Sequence, residues 1–234
     1  MNTTRIQKAK QFLFDVFADC EGFKDDPEGK RYRFQHSMRV ANIARIIAEN
    51  ENLDTEALMI ASILHDIGYC KPFSETHEWK HHGLVSAEVS LPFLTQLGFS
   101  GQLLDDMLTG ISGHDTGEPP EGKSFNAFSG SIMDADIIDH QDVYRIYECM
   151  SDAHFENLSD EDRLLYIKEM QEEIDGEEEH PFFTKTGSGA VHSYSLRRRA
   201  AVLSSSARLF QRRQSVRQAS RRTSPSSTNG PLTV

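Results

Sequence analysis

The sequence predicts an all-α protein. Apolar residues recur at three- and four-residue intervals along most of the chain, and residues that start or stop helices bound each such run. No stretch alternates polar and apolar side chains as a half-buried strand would, and no internal repeat is present. The first helix is "TRIQKAKQFLFDVFADC", which gathers Ile6, Phe12, Leu13 and Phe17 on one side. "FQHSMRVANIARIIAEN" repeats Val40, Ile43, Ala44 and Ile47 at helical spacing. Asp54 is a good N-cap for "TEALMIASILHDI", with Gly68 just past its end. "GLVSAEVSLPFLTQLG" carries Pro92 in its interior, which predicts a break or a kink. "SGQLLDDMLTGISGH" and "SFNAFSGSIMDADIIDHQDVYRIYECM" follow. "SDEDRLLYIKEMQEEI" opens on Ser159 as a cap, with an acidic first turn suited to the helix dipole.

Charge divides the chain in two. From Ala190 onward there are nine arginines and no Asp, Glu or Lys, which leaves 16 Lys+Arg against 36 Asp+Glu before it. A body of −20 thus carries a tail of +9, and the net −11 hides both. The expected division is a catalytic body over residues 1–185 and a Ser/Arg-rich tail over 186–234. The tail is either solvated and flexible, with its last dozen or so residues disordered, or a basic amphipathic helix. Leu196, Leu203 and Phe210 recur every seven residues, as do Val202, Leu209 and Val216. Such a helix would suit an acidic partner or an anionic surface. The acidic body argues against specific nucleic-acid binding. Cys20, Cys70 and Cys149 are widely spaced, which is poor material for disulfides or a thiolate zinc site. With no apolar leader and no long apolar run, a cytoplasmic location is expected.

"LHDIGYC", residues 64–70, ends a greasy segment on adjacent His65 and Asp66. A lone buried histidine is commonly structural. Here, however, His36, His82, His114 and Asp136 stand on four other helical segments, at their ends or in their interiors. Bundles assemble internal sites from such positions. Imidazole with carboxylate and without paired thiolate suits Fe, Mn, Zn or Co rather than a structural zinc.

The order His36, His65-Asp66, Asp136 resembles the HD-domain superfamily of metal-dependent phosphohydrolases. "FQHSMRVANIARIIA", "ILHDIGY" and "IMDADIIDH" are similar to its first, second and last signatures, and the likeness covers roughly residues 33 to 145. It implies a helical bundle with two divalent transition-metal ions. His36, His65, Asp66 and Asp136 would hold the first; Asp66 would bridge to a second, completed by His82 and His114. His81 competes with His82, which is preferred because Ser86 follows it by one helical turn. Two departures stand out. Tyr69 occupies the place where many dinuclear members carry a lysine, Lys71 being out of register. A double histidine near the fifth helix's end is reduced to His114 followed by Asp115.

The resemblance implies a metal-activated water attacking phosphorus in a nucleotide or related small phosphorylated metabolite, with Asp66 at the centre. Arg39, three residues past His36, is expected to hold phosphate, together with Lys71 or Lys80. Two alternatives remain open: a di-iron oxygenase cleaving a C–C or C–P bond, which would use iron, and a non-catalytic metal-binding regulatory module. Specificity is expected in "CEGFKDDPEGKRYR", "KPFSETHEWK" and "DTGEPPEGKSFN".

Overall fold

Side-chain caps decide where most of the helices begin. The computed structural model describes residues 4–73, 81–141, 143–177 and 182–190. In it α1 (Arg5–Ala18) starts at Thr4, which exchanges reciprocal bonds with Gln7. Helix α2 (Pro27–Glu51) starts at Asp26, whose carboxylate accepts from the Gly29 N–H, with Pro27 in the first turn. A proline loses no helical bond there, because the first N–H groups have no acceptor within the helix. The helix therefore begins well before the apolar run at Phe34, and residues 27–33 add about two turns. It ends at Asn52, in the left-handed region at φ 57°. Asp54 then caps α3 (Thr55–Leu64), accepting from the Ala57 N–H at 2.9 Å.

Helix α3 is buried along most of its length, from Ala57 and Leu58 to Ile63 and Leu64. A helix that is apolar all round belongs at the centre, and α3 packs against α1 and α2 and against α5 (Gly101–Gly113) and α6 (Ala127–His140). Helix α4 (His82–Gln96) lies on α5. It runs through Pro92 as one element, where the sequence predicts a break or a kink. Pro92 is exposed, so the carbonyl that loses its N–H partner lies on the solvent side of the helix.

The long segment 124–150 is two helices rather than one. After His140 the Gln141 N–H turns back onto the carbonyls of Ile137 and Ile138, and α7 (Val143–Asp152) sets off anew. Helix α8 (Asp160–Glu177) begins where Ser159 predicts, with the Ser159 hydroxyl accepting from the Asp162 N–H at 3.1 Å. Its Ile167 and Met170 meet Cys149, Met150, Phe155 and Tyr166 in a small cluster beside the main core. Among the described residues there is no strand, and no helix is long and apolar enough to cross a membrane.

The body extends past the boundary placed after residue 185. Asp134, buried in α6, accepts from the Phe183 and Thr184 N–H groups at 3.0 and 2.9 Å and from the Thr184 hydroxyl at 2.6 Å. Residues 185–190 are helical, Gly187 is buried and Ala190 packs on the core. The heptad-spaced tail from 196 onward lies outside the described residues.

Candidate metal centre

Each side chain of the centre comes from a place where helical order starts, stops or faces inward. His36 points into the core from α2, and Asp136 does so from α6. His65 and Asp66 form the turn between α3 and a 3-10 helix, Ile67–Cys70. His82 opens α4, and His114 directly follows α5. None of these six residues is more than 8% exposed.

Two glycines let the segments approach. A Cβ on Gly68 would lie 2.5 Å from the His82 carbonyl oxygen and 2.8 Å from Ser86 Oγ. In its absence the Gly68 N–H donates to Ser86 Oγ at 2.9 Å, which fastens the His65-Asp66 turn to α4. A Cβ on Gly83 would likewise lie within 2.8 Å of the Ile111 and Ser112 carbonyls, just before His114. Any side chain at either position would push the histidines apart.

The ring nitrogens are oriented from behind. His65 Nδ1 donates to the Ser62 carbonyl at 2.7 Å, and His114 Nδ1 donates to the Ile111 carbonyl at 2.8 Å. His36 Nδ1 donates to Asp139 Oδ2 at 2.8 Å, and Arg39 grips Asp139 in turn through two bonds of 2.8 and 2.9 Å. His82 Nδ1 lies 3.4 Å from Asp115 Oδ2, which also accepts from the Gly83 N–H. Carbonyls and carboxylates only accept, so a neutral imidazole held this way presents a bare Nε2.

These Nε2 atoms face one another in pairs: His36 and His65 at 3.2 Å, His82 and His114 at 3.1 Å. Asp66 lies between the pairs. Its Oδ1 is 2.9 Å from His82 Nε2 and 3.5 Å from His114 Nε2, while its Oδ2 is 3.5 Å from His36 Nε2. Asp136 Oδ1 is buried 3.0 Å from His36 Nε2, yet makes no hydrogen bond of acceptable geometry. Lone pairs aimed at lone pairs, around an unbonded buried carboxylate oxygen, need positive charge between them. The cluster fits a metal site. Its donors form overlapping groups, each close enough for one ion: Asp66 with His36 and His65, Asp66 with His82 and His114, Asp136 with His65 and His114, and Asp136 with His36 and His140.

Protons serve that need when metal does not. Burial works against a charged His36, but the close carboxylates of Asp136 and Asp139 outweigh burial and push its pKa up to about 9. His114 rises to about 8, again against burial, mainly through Asp66. Asp66 is held well below the usual carboxylate range, because His65 and Arg33 overcome the effect of burial.

The other sequence candidates fall elsewhere. Arg39 is engaged with Asp139 and so stands behind His36 rather than over the cluster. Lys71 is exposed at the end of the 3-10 helix, and Lys80 lies outside the described residues. His81 takes the N-cap position of α4 and belongs to no metal-capable group among the described residues. The guanidinium that does reach the centre is Arg33, whose Nη1 donates to Asp66 Oδ2 at 2.8 Å. It lies 3.9 Å above the Tyr69 ring, which itself packs 4.6 Å from the His82 ring. The helical count that puts Arg39 beside His36 runs equally backward to Arg33. Asp139 and His140 lie inside "IMDADIIDH", three and four residues past Asp136, and the sequence alone assigns neither a role.

The family model for the HD domain matches residues 33–212, well over half of the chain. The chain belongs to the HD-domain family. A predicted HD superfamily hydrolase from an uncultured Thermotogales bacterium has a similar structure. The TM-score is 0.56 at 20% identity, covering 88% of this chain and 91% of that one, a likeness of fold. An uncharacterized protein of Methanocaldococcus jannaschii is 44% identical over 52 residues, 22% of this chain and only 11% of that protein's length. As an HD domain, the chain brings together side chains that could hold metal from five separate helical segments.

Proposed function

We propose that this HD domain is a metal-dependent phosphohydrolase, cleaving a phosphate ester or anhydride of a nucleotide or related small metabolite. The observation that carries the reading is the pair of facing imidazole couples joined through Asp66. One divalent ion of Mn, Fe, Co or Zn would be held by His36, His65, Asp66 and Asp136, and a second by Asp66, His82 and His114. Such ions supply an acidified water and positive charge for developing oxygen anions.

The protein's own groups do the positioning. Asp139 fixes the tautomer of His36, and Arg39 keeps Asp139 ionised and in place. Arg33, a quarter exposed beside Asp66, is suited to take a non-reacting phosphate oxygen, the task the sequence suggested for Arg39. A cavity of about 720 Å³ adjoins the centre at Arg33, Tyr32 and Tyr69 and is also lined by Arg31 and Arg145. That volume is ordinary for a small-molecule site, and rings with guanidiniums suit an aromatic base bearing phosphate. Much of its wall comes from "CEGFKDDPEGKRYR", whereas "DTGEPPEGKSFN" contributes nothing to it.

The test is a screen of protein reconstituted with Mn, Co, Fe or Mg against nucleotides, dinucleoside polyphosphates and small phosphate esters, run without oxygen. Phosphate release is the expected result. Turnover that required oxygen would point instead to the di-iron oxygenase. A metal-loaded protein inert towards every substrate would leave the regulatory module.

A further inference from the structure

We infer that His140 is an additional ligand of the first ion, reaching the centre from its solvent side. The inference rests on the metal-dependent reading above and adds to it a seventh side chain. His140 is the last residue of α6, one turn beyond Asp136 and on the same face. Its Nε2 lies 3.8 Å from Asp136 Oδ1, and ligating atoms of His36, Asp136 and His140 all lie within 4.8 Å of one another. Ligand atoms about 2.0–2.2 Å from one ion are separated by at most about 4.4 Å. The separations of 3.0 Å from Asp136 Oδ1 to His36 and 3.8 Å to His140 therefore fit a single ion. The His140 ring lies nearly parallel to that of His36, with planes 12° apart and centroids 5.4 Å apart.

His140 differs from the other members in one respect. Its side chain is 35% exposed, while no other side chain in the cluster exceeds 12%. His140 would give the first ion a third imidazole, against two on the second. The two positions would then differ in donor set.

Cobalt(II) loaded into the full chain reports ligation directly through its visible absorption. His140→Ala is expected to change that absorption and to weaken the binding of one cobalt equivalent at least about tenfold, the scale on which even outer-shell partners count. Free imidazole should restore the band in His140→Ala, which a merely stacking role would not allow. His140→Gln, which keeps the side chain's bulk on the helix, should show the same loss, and circular dichroism of the metal-free variants should match wild type. Two cobalt equivalents bound with an unchanged spectrum in both variants would overturn this inference alone. Failure of the wild-type chain to take up cobalt would overturn both it and the metal-dependent reading.

Discussion

Asp66 serves both halves of the centre, so its loss is expected to reach both. Asp66→Ala should abolish metal retention at both positions and lower turnover by more than about a thousandfold, since the metal-bound water is lost with it. His82→Ala should weaken only the second equivalent, with His81→Ala doing less harm; metal analysis after reconstitution checks the order. Arg33→Ala should leave two equivalents bound but reduce kcat/KM about ten- to hundredfold, the range of one charge-assisted bond of about 1.5–3 kcal/mol. Arg39→Ala should act differently, through Asp139 and His36, and weaken metal binding. The raised pKa values give a signed pH dependence. For His36 and His114 the folded values of about 9 and 8 exceed the ordinary 6.5. In metal-free protein their stabilisation is complete below about pH 6.5 and is lost as pH rises through 8 and 9. The unfolding temperature of chelator-treated protein should therefore fall between pH 7 and 9.5, while metal affinity rises over the same interval as protons leave. The six candidate donors were legible in sequence because each sits at a helix end or at an inward-facing position of a helix. Arg33, Asp139 and His140 were not, because their roles come from contacts between α2, α6 and the turn after α3.

At the scale of elements, the strap formed by residues 182–190 is the testable piece. Asp134→Ala would strand two backbone N–H groups and a buried hydroxyl, a loss on the order of 3 kcal/mol. For a chain of this size that is a fall of roughly 6–12 °C in unfolding temperature. Because Asp134 and the proposed ligand Asp136 share α6, some weakening of the first metal equivalent should accompany it. Helix order was plain from periodicity, though one predicted helix is two, and Asp54 and Ser159 marked two starts as capping chemistry requires. The early start of α2 was signalled by Asp26-Pro27 but hidden under a polar stretch that looks like loop. The turn after His140 had no Gly or Pro to announce it. The strap could not be read at all: a buried carboxylate in one helix selects it, and that contact spans about 50 positions of sequence.

For the whole molecule, the question is where the working body ends. A chain ending at Ala190 should keep its metal content and its kcat on small phosphate esters, whereas one ending at 181 should lose stability with the strap. The +9 of the tail against the −20 of the body allows the two to attract. That attraction fades beyond about 8 Å at physiological salt. Any influence of the tail on activity should accordingly diminish between low and high ionic strength in full-length protein and be absent from the truncated form.

The facing imidazoles also bear on how long the protein lasts. A cluster arranged so that lone pairs oppose lone pairs is most comfortable around a cation, and the unfolded chain offers no such arrangement. Metal then stabilises the folded state by mass action, by about 2.7 kcal/mol when free ion exceeds its dissociation constant a hundredfold. A protease acting on transiently opened molecules would see that difference as about a hundredfold change in susceptibility. Limited proteolysis across a series of buffered manganese concentrations should thus show survival tracking metal supply, with Asp66→Ala cleaved at one rate throughout.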